Sequence, residues 1–267
     1  MLRDITLGQF FPGNSPLHRM DPRVKILWTL FYIILLFCID NYWGFFVYGI
    51  FIAGVIGISG IRPRYVLMGL RPLMYLLLFT VFLNIFVSGG DTVLFKLWIF
   101  KATKEGIFSA GLMALRLIFL VFGSSMLTYT TSPIVLTDGI ERLLSPFSKI
   151  GVPAHEIAMM MTIAIRFIPT ILEETDKIMK AQTARGADFT SGNLLRRAKA
   201  MIPLLVPLFI SAFRRADELA TAMECRCYRG GKGRTRLYTL RISRIDKYSV
   251  IFAVLLLLAV LATRIYL

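Results

Sequence analysis

The sequence predicts an all-α membrane protein, with about five transmembrane helices and a basic helical segment set before the last of them. Three observations predict it. The 267 residues are 56% hydrophobic, include 21 Phe and have a mean hydropathy of +0.67, more apolar surface than one soluble core of that length needs. Several apolar runs approach the ~20 residues that a spanning helix requires. The formal charge of +15 lies between those runs, where cations face anionic headgroups and obey the positive-inside rule. In a soluble chain such a charge would point to nucleic acid, but no base-reading module accompanies it. The expected partner is therefore the lipid bilayer and not nucleic acid. Cys38, Cys225 and Cys227 form no disulfide framework. Residues 1–11 lack the apolar core and cleavage site of a signal peptide, so the first span is expected to stay in the mature chain.

The first span is expected over residues 24–39, ended by Asp40-Asn41. The second covers 42–59, with Tyr42, Trp43 and Tyr48 suited to an interfacial belt. A loop with Arg62, Arg64 and Arg71 follows, punctuated by Pro63 and Pro72. The third span is 73–87, closed by Ser88-Gly89-Gly90. Residues 91–110 are mixed, and 94–100 are too few to cross, so an interfacial or re-entrant piece is expected there. The fourth span, 111–129, carries Arg116. The last is 248–262. The cations before the first span and between the second and third fall on one side, which places the N-terminus in the cytoplasm.

Three regions result: 1–130 with four spans, 131–247 in the cytoplasm, and 248–267 with the last span. Residues 131–248 hold 19 Lys or Arg against 11 Asp or Glu, a sign that agrees with the inner side. Ser132-Pro133 reads as a helix start. Residues 159–171 are Met-rich and apolar, broken by Arg166 and Pro169. Glu173 with Lys177 and Asp176 with Lys180 have helical spacing and mark a solvated face. Residues 201–213 form a second apolar stretch with Pro203 and Pro207, followed by a charged stretch from 214 to 226.

Each half of this region thus runs from an apolar stretch with proline through a charged helix to an arginine between small residues. The first motif is Ala184-Arg185-Gly186, where Gly can take the left-handed conformation that ends helices; the second is Cys225-Arg226-Cys227. An arginine flanked by small residues at a helix end projects without neighbouring bulk, and its planar fork can bind a carboxylate through two hydrogen bonds.

With these motifs, the chain resembles the T component (CbiQ/EcfT) family of energy-coupling factor transporters. The stretch from Ser15 to Lys25, SPLHRMDPRVK, resembles the family's lead-in to its first helix, and the pair around Arg185 and Arg226 resembles its paired Ala-Arg-Gly-type motifs. The departure is Cys225 and Cys227 in place of Ala and Gly, which bears on the local backbone. The resemblance implies a multi-pass subunit of the bacterial cell membrane whose two long cytoplasmic coupling helices cross in an X. Their ends would sit in grooves of two ABC ATPase subunits of EcfA and EcfA′ type. Ala184, Arg185 and Gly186 would dock one ATPase and Cys225, Arg226 and Cys227 the other, while a membrane S component binds the vitamin or metal ion. Met159, Met160, Met161, Met179, Met201 and Met223 offer an adaptable apolar surface for interchangeable partners.

No catalytic residue, cofactor site or metal site is expected. His18 and His155 lie in unrelated contexts, no phosphate-cradling Gly-rich loop is present, and Cys225 with Cys227 are too closely spaced for zinc. The competing readings are a self-sufficient secondary carrier or a membrane-bound enzyme. A carrier should place polar groups in several spans, whereas four of these five offer little beyond Asn84.

Overall fold

Prolines set the helix starts. Their fixed φ and missing N–H suit the first turn, and Pro16, Pro22, Pro63 and Pro133 open helices α1 (Pro16–Arg19), α2 (Pro22–Phe37), α4 (Pro63–Met68) and α7 (Pro133–Leu144). The computed structural model describes residues 10–87, 93–97, 100–189, 191, 193–231, 240 and 242–266. The other elements are α3 (Tyr42–Ser59), α5 (Met74–Val87), strands β1 (Val93–Leu97) and β2 (Phe100–Thr103), α6 (Lys104–Thr130), α8 (Ala154–Ala184), α9 (Leu194–Cys225) and α10 (Arg244–Tyr266). Helix dominates as expected. Over the stretch expected to be interfacial or re-entrant, the chain forms an antiparallel hairpin, β1 with β2, and then begins α6 at Lys104.

The described residues divide into two compact units, one built on 10–139 with 240–266 and the other on 140–231. In the first, Leu36, Phe45, Tyr48, Ile52, Leu256 and Val260 bury a seam joining α2, α3 and α10, and Phe119 of α6 packs on it. Phenol groups at such depth need acceptors. Tyr32 donates to the Phe119 carbonyl at 2.8 Å and Tyr48 to the Tyr32 carbonyl at 2.9 Å. The outward faces stay apolar: Tyr75 of α5 is 86% exposed and Leu78 70%, a surface that lipid covers and water does not.

The SPLHRMDPRVK stretch forms a polar knot at one end of this bundle. Ser15 caps α1 and shares a 2.7 Å hydrogen bond with His18 Nδ1. Asp21 caps α2 and receives Arg23 through two bonds of 2.9–3.0 Å. Lys25 Nζ donates to the Thr130 carbonyl and to Thr131 Oγ1, each at 3.0 Å, fixing the end of α6. Buried Asp246 accepts the Asp21 N–H at 3.0 Å and the Ser243 N–H at 2.6 Å. Ser243 in turn caps Ile245 at 3.1 Å, so Ser243 and Asp246 make a reciprocal capping box at the start of α10. One carboxylate thereby ties the first long helix to the last.

Among the described residues, five helices are long and apolar enough to cross a membrane: Tyr42–Ser59, Pro63–Phe86, Lys104–Thr130, Ala154–Ala184 and Arg244–Arg264. Their number matches the expectation, but α8 takes the place of α2. The Asp40-Asn41 turn and the Pro22 start leave α2 with 16 residues, about 24 Å at 1.5 Å per residue. The second of the five runs through α4 and the Arg71–Leu73 turn into α5.

Arg116 faces protein, as its cost in lipid demands. Its Nη2 donates to the Ile39 carbonyl at 2.6 Å, approaches Asp40 at 3.7 Å, and its guanidinium lies 5.6 Å from the Phe37 ring centroid. It thus caps the C-terminal end of α2, where a cation complements the helix dipole. Arg116→Leu is expected to cost about 2 kcal/mol, the worth of a charge-assisted hydrogen bond, read as a lower melting temperature of the detergent-solubilised protein. Arg116→Lys should recover part of that loss.

Candidate functional site

The second unit is dominated by two long helices of 31 and 32 residues, α8 and α9. Each continues through interior prolines, Pro169 in α8 and Pro203 with Pro207 in α9, and joins an apolar stretch to the charged stretch that follows it. A proline inside a helix leaves the carbonyl four residues earlier without its helical donor. Pro207 does this to Pro203, and Gln182 Nε2 of α8 reaches that carbonyl at 3.5 Å. Further along, Arg215 Nη2 donates to Glu174 Oε2 at 2.8 Å. The order of these ties makes the helices antiparallel: the end of α8 lies near the start of α9. Glu173 is exposed while Glu174 turns to α9, so the adjacent carboxylates point apart, as neighbours on a helix must.

Both arginine motifs sit at helix ends and both close in the same way. At the end of α8, the Gly186 N–H donates to the Thr183 carbonyl at 2.9 Å and the Ala187 N–H to the Gln182 carbonyl at 2.9 Å. At the end of α9, the Cys227 N–H donates to the Glu224 carbonyl at 2.8 Å and the Tyr228 N–H to the Met223 carbonyl at 3.0 Å. This pair of bonds, one spanning three residues and one spanning five, defines a Schellman cap. It puts Arg185 and Arg226 at the equivalent last position before a left-handed residue. Gly186 supplies that conformation with φ +89°, and Cys227 supplies it with φ +54°, alone among the described non-glycine residues. Cysteine therefore keeps the geometry that glycine would have given, at a cost of about 1 kcal/mol. All six motif residues are exposed.

The second cap is anchored by residues that the sequence did not single out for it. Tyr228 Oη lies 3.3 Å from His155 Nε2, and His155 Nδ1 lies 3.1 Å from Glu141 Oε1. Gly231 passes so close to His155 that a Cβ there would come within 2.7 Å of the ring. His155 stands at the start of α8, so the end of α9 is tied to the beginning of α8. The two arginines consequently occupy opposite ends of one helical hairpin, and the 31 residues of α8 separate them by roughly 45 Å. The only signal in the sequence was Tyr228 directly after Cys227. The exposed side chains of Met160 and Met201 leave part of the Met surface available. Among the described residues no group of His, Cys, Asp and Glu has the arrangement of a metal site.

Residues 13–237 match the family model described as cobalt transport protein, CbiQ. The chain is 55% identical over its full length to the energy-coupling factor transporter transmembrane protein EcfT of Clostridium kluyveri, covering 99% of that protein. It is 55% identical over 98% of its length to the EcfT of Thermosediminibacter oceani, covering 99% of it, and 43% identical to that of Bacillus subtilis, with 98% of both chains covered. The chain belongs to the CbiQ/EcfT family. Within that family frame the paired caps are the feature that this structure defines residue by residue.

Removing the strain at the second cap should strengthen it. Cys227→Gly is expected to slow amide exchange at Arg226, Cys227 and Tyr228 by about fivefold, equivalent to ~1 kcal/mol. Cys227→Val should speed it, because a β-branched residue tolerates the left-handed region poorly.

Proposed function

We propose that this chain is the transmembrane coupling subunit of an energy-coupling factor importer, and that it passes ATP-driven motion of two ABC ATPase subunits to a substrate-binding S component. The cargo would be a vitamin or a metal ion carried by the S component. The observation that carries the reading is the pair of congruent, exposed arginine caps at opposite ends of one helix pair. Two such prongs suit two separate, similar subunits better than one. Arg185, flanked by Ala184 and Gly186, would enter a groove on one ATPase, and Arg226, flanked by Cys225 and Cys227, a groove on the other. A planar guanidinium without bulky neighbours binds a carboxylate with directional, paired hydrogen bonds. In this reading ATP hydrolysis belongs to the partners, and the chain itself is not an enzyme.

This reading places α8 and α9 at the cytoplasmic face and α2, α3, α5, α6 and α10 in the plasma membrane. Length and apolarity alone would admit α8 as a span. Its second half argues otherwise, since Glu173, Glu174, Asp176, Lys177 and Lys180 follow one another within eight residues, and charge at that density is costly at bilayer depth. A helix of 16 residues such as α2 can span where the bilayer thins locally. Four spans before α8 then return the chain to the side of its N-terminus, and the basic segment lies inside.

The double variant Arg185→Glu with Arg226→Glu is expected to abolish copurification of the ATPases while leaving the membrane unit folded. Each single variant should weaken association by at least tenfold, because a carboxylate then faces the groove's own acid. Normal ATPase association in the double variant would refute the anchoring roles.

A further inference from the structure

The membrane unit contains a groove of about 510 Å³ that none of the motif residues lines. It runs beside α2 from Lys25 to Tyr32 and is walled by α1, α3, α6 and α10, with Leu17, Trp28, Phe51, Met126 and Phe252 among its apolar side chains. Its volume falls in the range of ligand pockets, but its lining offers almost no polar group to orient a polar ligand. Gly54 opens directly onto it: a Cβ at that position would meet nothing within 4 Å. The polar groups gather at one end, where α2 and α10 begin and α6 stops. There Lys25 lies with its stem along the groove and its Nζ on Thr130 and Thr131.

That end is basic. Arg19, Arg244 and Lys247 are exposed, adjoin the groove residues Met20, Ile245 and Tyr248 in sequence, and have no ion-pair partner among the described residues. The acids close by are Asp21 and Asp246, both buried and already accepting hydrogen bonds from Arg23 and from backbone N–H groups. An apolar trough within the membrane, ending in unneutralised cations at the level of the helix ends, has the chemistry of a phospholipid with a negative headgroup. We propose that the groove holds one acyl chain of an anionic phospholipid, with its phosphate against Arg19, Arg244 and Lys247. Bound there, the lipid would fill the space between α2, α3 and α10 beside the Asp21–Asp246 tie. This site is independent of the arginine caps.

The test is native mass spectrometry of the full-length protein in detergent, titrated with dioleoyl-phosphatidylglycerol or dioleoyl-phosphatidylcholine. The wild-type protein should retain one phosphatidylglycerol about tenfold more tightly than phosphatidylcholine. Gly54→Phe, which fills the trough, should lose that adduct, whereas Gly57→Phe, also in open space but outside the groove, should keep it. Combined Arg19→Ala, Arg244→Ala and Lys247→Ala should leave an adduct with no headgroup preference, which also covers the case in which Gly54→Phe fails to fold. Equal retention of the two lipids by the wild type, or an undiminished adduct in folded Gly54→Phe, overturns the proposal. So does a folded Gly54→Phe that keeps its lipid but loses the S component, which would assign the groove to a protein helix.

Discussion

A helix that ends by turning one residue into the left-handed region must present the residue before it at the rim of the last turn. That constraint organises the helical hairpin of this protein. It acts twice, at Gly186 and at Cys227, and each time the residue presented is an arginine. The hydrogen bonds that enforce it are backbone bonds, so they depend on chain geometry and on one permissive position. Small neighbours do the rest, leaving the guanidinium free of steric cover. The exposed position of each arginine is thus specified by local stereochemistry.

Distance follows from the same architecture. Antiparallel pairing through Glu174–Arg215 and Gln182–Pro203 sends the end of α8 away from the end of α9, and Tyr228 on His155 fastens the far end. The two prongs therefore cannot serve one small pocket. They stand at opposite ends of the paired helices α8 and α9. The interior prolines, which in isolation weaken helices, here give α8 and α9 a reason to meet: the carbonyl freed by Pro207 becomes an acceptor for the partner helix.

Much of this was legible in the sequence. Apolar run length and the cations around them gave the membrane class, and Ala184-Arg185-Gly186 announced its own cap because glycine is the expected residue there. Cys225-Arg226-Cys227 resembled it only in side-chain size; that Cys227 accepts a positive φ depends on the Tyr228 N–H finding the Met223 carbonyl, which spacing does not reveal. The apolar stretches and the charged stretches after them read as separate pieces, whereas the structure runs each pair, prolines included, as one helix. Asp246 and His155 were also opaque, because their meaning lies in contacts with Asp21 and Tyr228, far away in sequence. The β1–β2 hairpin hid in a stretch whose apolar content was too short to cross and whose alternation was weak.

The proposed coupling role requires both arginine caps to face the cytoplasm although roughly 45 Å of helix lies between them, with the hairpin not standing across the bilayer. The direct measurement is thiol accessibility in sealed vesicles of either orientation, using a membrane-impermeant maleimide. One cysteine-bearing variant retains only Cys227 and another only an introduced Asp188→Cys beside the first cap, both positions being exposed. The account predicts that both react only when the cytoplasmic face is outward. Labelling of the two positions from opposite sides would show that α8 crosses the membrane, and would contradict it.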